Sequence, residues 1–242
     1  MTYNVHGCVG TDGVLSPRRI AAVIAATNAD VAALQELDVG RSRSGKLHQP
    51  DVIARELAMH YHFGPAWELE DGRYGNAILS RHPLRLVQHA PLPRPENSRE
   101  RRGALWGAVE LGDELELQVI TTHLGLGRRE RFAQSEALAG VDWLRHPDCR
   151  GPRVFCGDLN SLPGSRVCGA FEQSLAYAGR RILGRTFPSR LPLLRLDHVF
   201  VSEDIRVERA EIPSTKLTRV ASDHLPLVVD LLVSTGALAV TA

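Results

Sequence analysis

The sequence predicts two packed β-sheets with helices on their outer faces, and three observations point to it. Apolar runs of strand length recur along all 242 residues. Only a few segments carry apolar residues at helical spacing, so a small number of helices flanks many strands. Six of the apolar runs end in a group that can bind a metal or move a proton: TYNVHG (Asn4, His6), DVAALQE (Gln35, Glu36), LQVITTHLG (His123), VFCGDLNS (Asp158, Asn160), LDHVFVS (Asp197, His198) and SDHLPLVVDLLV (Asp223, His224). Carboxylates and imidazoles at strand ends suit a site carried on a rigid sheet. Because they span both termini, one domain over residues 1–234 with a tail at 235–242 is expected.

Element by element, Ser16-Pro17 reads as an N-cap followed by proline at the first helical position. Ile20, Val23, Ile24 and Thr27 then follow at helical spacing. Asp30 to Glu36 reads as a buried strand and Gln49 to Ala58 as a second helix. Strands are expected at Asn76–Ser80, Leu84–Gln88, Leu105–Leu111 and Leu115–Thr122, with Gly112-Asp113 turning the last pair into a hairpin. Arg129 to Arg145 reads as a longer helix with Phe132, Leu138, Val141 and Leu144 on its apolar side. Val154–Gly157 returns to sheet, Ser165–Leu175 is a short helix, and Leu196–Val201, Ile205–Ile212 and Leu225–Leu232 complete the strands. Met1 stands only three residues before Asn4, where a complete first strand would start earlier, so upstream sequence is expected.

Composition excludes several classes. Hydrophobic content of 43% and charged content of 24% are those of a globular protein. No apolar stretch reaches membrane-spanning length, and the N-terminus carries no secretory signal pattern. Cys8, Cys149, Cys156 and Cys168 show no CxxC spacing, so free thiols, a reducing compartment and a cytoplasmic location are expected. Net charge is +1, which excludes a global polyanion-binding character, and the chain is expected to be monomeric. Only Lys46 and Lys216 are lysine among 29 basic residues. The arginines cluster at Arg99, Arg101 and Arg102, at Arg128, Arg129 and Arg131, and at Arg180, Arg181 and Arg185, where guanidinium groups can pair with phosphate. Aromatic content is 5% and no segment interleaves aromatics with basic residues, so little builds a nucleic-acid track. Leu191–Leu194, between arginines, is the one small candidate for membrane docking.

A hard divalent cation takes oxygen ligands and needs only one or two carboxylates. Glu36 ends a wholly apolar strand, where an unpaired charge is costly; an ordinary exposed glutamate past a strand end is the competing reading. Asp223 supplies a second carboxylate from the opposite terminus, and Asn4 and Gln35 offer amides. Phosphate-ester hydrolysis further needs an activated water, neutralisation of charge on phosphorus and a proton route. Asp158 and Asn160, two residues apart, face the same side of a strand-like segment, or form a simple turn. His123 and His224 are phosphate ligands, proton donors or satisfied core histidines. Asp197 can orient an imidazole such as His224, while His198 points to the other side of its strand.

Together TYNVHG, LQE, YGNAILSR, ERRGAL, TTHLG, CGDLNS, LDHVFVS and SDHLPL resemble the metal-dependent endonuclease/exonuclease/phosphatase superfamily, in order and over nearly the whole chain. The resemblance implies a DNase I-like α+β fold, a four-layer α-β-β-α sandwich of two mostly antiparallel sheets. It implies a Mg²⁺ or Mn²⁺ cofactor and water attack on a phosphodiester or phosphomonoester in a nucleic acid, a phospholipid headgroup or a small phosphodiester. It makes Glu36 the principal metal ligand with Asn4 and Asp223 nearby. Asp158 and Asn160 then position nucleophile and phosphate, Asp197 pairs with His224, and His123 binds phosphate or protonates the leaving group. Arg101 or Arg102, with Asn76, contacts phosphate. His6 and TTHLG depart from the abasic-site repair pattern and argue against that activity. The competing reading is a catalytically silent phosphate-binding module, which would lack one or more of these residues.

Overall fold

Period-two alternation of apolar side chains sorts the strands' residues into three separate cores, and three cores require four layers. In the computed structural model, which describes residues 1–233 except 97, 99, 113, 114 and 183, β1 (Thr2–Asn4), β2 (Val31–Val39), β3 (His60–Leu69) and β4 (Gly72–Ser80) form a sheet ordered β1-β2-β4-β3. β5 (Leu84–Pro91), β6 (Gly103–Glu110), β7 (Glu116–His123), β8 (Arg153–Asp158), β9 (Ala176–Tyr177) and β10 (Asp197–Val201) form a second sheet ordered β5-β6-β7-β8-β10-β9. Pairing is antiparallel except for β1 with β2 and β7 with β8. A ribbon of β11 (Ile205–Glu211) and β12 (Val228–Val233) continues the first sheet, because Leu227 and Thr2 exchange backbone hydrogen bonds.

Along β2, Ala32 and Leu34 enter a core shared with α1 (Pro17–Thr27) and α2 (Gln49–Leu57), while Ala33 between them faces the opposite sheet. Along β8, Phe155 enters the core beneath α3 (Arg128–Leu138) and α4 (Arg166–Glu172), while Val154 and Cys156 face inward. The inter-sheet core joins Ile78, Leu105, Val119, Val199 and Leu227. This is the expected α+β sandwich. No helix of the described residues is long and apolar enough to cross a membrane.

Ser16 caps α1 by accepting from the Arg19 amide, with proline at its start. α2 ends at Leu57, with Ala58 in a left-handed conformation. α3 is shorter than expected: it stops at Leu138, because the chain turns at Gly140, where a Cβ would lie 2.9 Å from the Ala137 carbonyl oxygen. Trp143 and Leu144 are buried through that turn, Val141 is exposed, and the buried face of α3 joins Leu138 to the polar Glu130, Gln134 and Ser135. β3 has no counterpart in the expected elements. It is an edge strand bulged between Pro65 and Trp67, where a missing N–H is tolerated. The short α5 (Lys216–Ala221) rests on a Thr215–Thr218 capping box. At the β6–β7 hairpin the Leu111 amide donates to Leu115. Asp113 lies outside the described residues, as do Arg99 and the tail from 235 to 242. The four cysteines are buried free thiols, and burial raises each of them.

His198 lies wholly inside the second sheet's outer core. Its Nε2 donates to the Ser161 carbonyl at 2.8 Å, and its Nδ1 accepts from the Tyr177 hydroxyl at 3.0 Å. Burial pushes it down to about 4, below the roughly 6.5 of an unfolded chain. The neutral form therefore stabilises fully above the unfolded value, and that contribution is lost as pH falls through the folded one. The melting-temperature advantage of the native protein over His198→Gln is expected to shrink as pH drops through this window. An unchanged gap would refute the assignment.

Candidate active site

Strand register assembles the site. His123 at the end of β7 pairs with Asp158 at the end of β8, and Asp158 pairs with Asp197 at the start of β10, so three reactive side chains stand in one row. On the facing sheet, Asn4 at the end of β1 pairs with Gln35 of β2. Gly157 allows the close approach of β8 to β7: its φ is 147°, and a Cβ there would collide with the Thr122 carbonyl oxygen.

One oxygen holds the centre. Asp158 Oδ2 accepts from Asn4 Nδ2 at 3.0 Å and lies 3.4 Å from His123 Nε2 and 3.6 Å from His224 Nε2. The same Asn4 nitrogen donates to Glu36 Oε1 at 2.9 Å, so a single amide joins the buried carboxylate to the half-exposed one. His224 Nδ1 is 2.8 Å from Asp197 Oδ2. Asp197 Oδ1 is buried without a partner among the described residues. Asp158, Asp197 and His224 present ligand atoms within 4.8 Å of one another, a buried set able to hold a metal ion. The Ser222–His224 loop is fixed from outside: the Ser222 hydroxyl donates to the Asn4 carbonyl at 2.8 Å, and the Ser189 hydroxyl to the Ser222 carbonyl at 2.6 Å.

The electrostatics separate the two histidines. Burial, with Arg102 and His224 adding repulsion, drives His123 well below its ordinary value, so it is neutral. Burial would push His224 down as well, but the charge and hydrogen bond of Asp197, with Asp158 and Asp223 beyond, outweigh it and lift His224 to about 10. Burial, then the Asp197 charge, raises the Asp158 carboxyl far above an ordinary aspartate. The site thus holds a neutral imidazole, an imidazolium and a carboxylate made more basic by its surroundings.

The residues expected from sequence are largely gathered here. Glu36 does not end its strand: β2 runs on to Val39, and Glu36 sits at a bulge with φ of 63°. Asn160 is not strand-like either. It is left-handed at φ of 47°, and Asp158 Oδ1 accepts its backbone amide at 2.9 Å, so Asp-Leu-Asn is a turn. Even so, the turn brings the Asn160 amide within 3.0 Å of His123 Nε2. Arg102 is buried, with Nη1 3.1 Å from His123 Nδ1 and Nη2 2.8 Å from Glu100, whereas Arg101 is exposed. Asn76 is buried opposite the β2 bulge, its amide donating to the Gly103 carbonyl at 3.0 Å. Asp223 is half-exposed, 4.0 Å from His6 Nδ1, and His6 and Glu36 line the same cleft. Leu191 and Leu193 are exposed on a loop closed by hydrogen bonds between Phe187 and Leu194. Sequence reasoning did not find Glu100, Ser222 or the Asp38–Arg43 pair beside Glu36; Asp38, two residues past Glu36 on the same strand, was the available signal.

The sequence profile described as Endonuclease/Exonuclease/phosphatase family matches residues 1–224. The Escherichia coli protein YbhP, itself described as uncharacterized, is 26% identical over 96% of this chain and 94% of its own. An endonuclease/exonuclease/phosphatase structure from Beutenbergia cavernae superposes with a TM-score of 0.72 at 26% identity, covering 96% of this chain and 70% of that one. The mannosyl-6-phosphatase Bt3783 of Bacteroides thetaiotaomicron superposes with a TM-score of 0.75 at 19% identity, covering 96% and 98%.

Asp197 supplies the attraction that keeps His224 charged. In chelator-treated protein, Asp197→Asn is expected to lower the His224 pKa, because burial then acts with less opposition. An imidazole NMR titration measures it, and an unmoved value would remove Asp197 from that role.

Proposed function

The chain belongs to the endonuclease/exonuclease/phosphatase family, and on that premise we propose that it is a divalent-metal-dependent phosphoesterase, with Mg²⁺ or Mn²⁺ as cofactor. The observation that carries this reading is the shared Asp158 oxygen, which sets a raised-pKa carboxylate against the Asp197-held imidazolium of His224. Both a phosphodiester and a phosphomonoester suit this arrangement, and a mannosyl-6-phosphatase shares the fold. A silent binding module would have lost part of the set, and every member is present.

The donor set fits the ion. Glu36 is a half-exposed carboxylate whose Oε1 is held by Asn4, with Oε2 open to the cleft among the described residues. Asp223 approaches the same cleft by way of His6. An oxygen-only set suits a hard cation. The Asp158–Asp197–His224 cluster is less suited, because its imidazolium would repel a cation. When bound, the ion supplies Lewis-acid polarisation of the phosphoryl oxygen.

The remaining chemistry comes from side chains. Asp158, with its raised pKa, takes a proton from the attacking water, and Asn160 orients the groups around it. His224 presents a charged N–H to the phosphoryl oxygens and stabilises negative charge as it builds. Neutral His123 donates a hydrogen bond, and Arg102 backs it with a guanidinium whose Nε has no partner among the described residues.

His224→Ala is expected to lower kcat by about 10²-fold or more on any turned-over phosphoester, below the melting temperature of the variant, which falls because Asp197 loses its partner; near-normal kcat in the folded variant would reject its role. Glu36→Ala is expected to weaken Mn²⁺ binding by calorimetry and to regain part of its activity in excess Mn²⁺, and unchanged binding would move the ion elsewhere.

A further inference from the structure

Beside Glu36 lies an open cleft of about 500 Å³ whose apolar lining comes from the β3–β4 hairpin, with Trp67 half-buried and Tyr74 behind it. Arg43 enters the same cleft as a fixed fork. Its Nε and Nη2 each lie 2.8 Å from the oxygens of Asp38, and its Cζ stands 5.5 Å from the centre of the Tyr74 ring. The Asp38 side chain is 1% exposed and that of Arg43 56% exposed, so a buried carboxylate holds an exposed guanidinium in place. Nη1 remains for a ligand among the described residues.

Charge pairing decides what that ligand is. Arg41 is engaged by Asp71 at 2.7 Å, Arg43 by Asp38, and Arg102 by Glu100 at 2.8 Å. Arg41 and Arg43, the arginines lining the cleft, are both paired among the described residues, Glu100 is matched by Arg102, and Glu36 is committed to the ion, so the rest of the lining carries no net positive charge. A polyanionic strand or a second phosphate would find no uncommitted cation there to offset its charge. A neutral ring carrying hydroxyls meets none of that penalty. Each hydroxyl both donates and accepts, matching Arg43 as donor and Glu100 as acceptor, and the ring's C–H face can pack on the indole of Trp67.

We infer that this cleft binds the alcohol half of the substrate and that the alcohol is a neutral polyhydroxylated ring, making the substrate a sugar phosphate. The inference rests on the phosphoesterase reading and narrows it. Water's oxygen bonds to phosphorus, the phosphorus–oxygen bond to the ring breaks, and the ring departs as an alcohol carrying the returned proton.

The test compares hexose 1- and 6-phosphates, a nucleoside monophosphate, a DNA oligonucleotide and p-nitrophenyl phosphate on the Mn²⁺-loaded native protein, Trp67→Ala and Arg43→Lys. The lysine keeps a charge beside Asp38 but removes the fork. A hexose phosphate is expected to give the highest kcat/KM. Each variant should cut the ratio of hexose phosphate to p-nitrophenyl phosphate by about tenfold or more. A preference for the nucleotide or the oligonucleotide, or an unchanged ratio in both variants, overturns the inference. Should no compound be hydrolysed, the phosphoesterase reading fails and a second measurement decides this one. Hexose phosphate should quench the tryptophan fluorescence of the native protein in Ca²⁺ and not that of Trp67→Ala, whose other tryptophans, Trp106 and Trp143, are buried. Absence of quenching in the native protein then refutes sugar binding outright.

Discussion

A carboxylate buried in a protein core must be paired or neutralised, since the desolvation of an unpaired one costs several kcal/mol. Asp158 is buried, and its partners come from elements that sequence keeps far apart: Asn4 from the first strand, His123 from β7 and His224 from near the last. The sandwich closes around that need. Asn4 is the only one of these partners carried by the four-stranded sheet, so its amide is both a clamp between layers and the link from Asp158 to Glu36. Gln35 repeats the clamp one layer deeper, with its amide donating to the Thr121 hydroxyl of β7 at 3.0 Å. Fold and site are therefore two consequences of the same buried charges.

Charge balance keeps this cluster from collapsing into ordinary ion pairs. Burial keeps the His123 imidazole neutral, Arg102 packed against it adds to that, and Glu100 takes the guanidinium's other side. Across the row, Asp197 commits one oxygen to His224 and leaves the other without a partner among the described residues. Two histidines a few ångströms from the same Asp158 oxygen thus carry opposite protonation states: burial, reinforced by Arg102, keeps one neutral, and Asp197 overcomes burial at the other. Such separation of pKa values is how neighbouring groups take acid and base roles at one pH.

Much of this was legible in the sequence, because strand ends are where short apolar runs stop. The row of His123, Asp158 and Asp197 could be expected from three such runs, and Ser16-Pro17 announced α1. What was hidden depends on contacts between distant segments. Pro65 masks β3, since a proline-bearing stretch looks like a strand only when it occupies a sheet edge. The arginine beside His123 could not be told from its neighbour: Arg102 directly precedes Gly103 of β6 and points inward, and Arg101 does not. Arg43 lies in a polar loop whose importance comes only from Asp38 and Tyr74. The overlong helix from Arg129 failed because Leu138 and Leu144 reach one core through a turn, mimicking helical spacing.

The bulge at Glu36 shows why the departure of β2 from regularity matters most. Between Leu34 and Leu37 the strand holds one residue more than β4 opposite, where Asn76 stands. In an unbroken strand the residue two after Leu34 would share its face, and Leu34 faces the core beneath α1 and α2. Glu36 would then place a charge in an apolar layer that offers it no partner. The extra residue hands that position to Leu37, which is fully buried there, and turns Glu36 towards Asn4 and the cleft. A left-handed non-glycine residue costs about 1–2 kcal/mol, less than the several kcal/mol for an unpaired buried carboxylate. The local strain wins because the regular alternative is worse, and it leaves a carboxylate facing solvent at the meeting point of the two sheets.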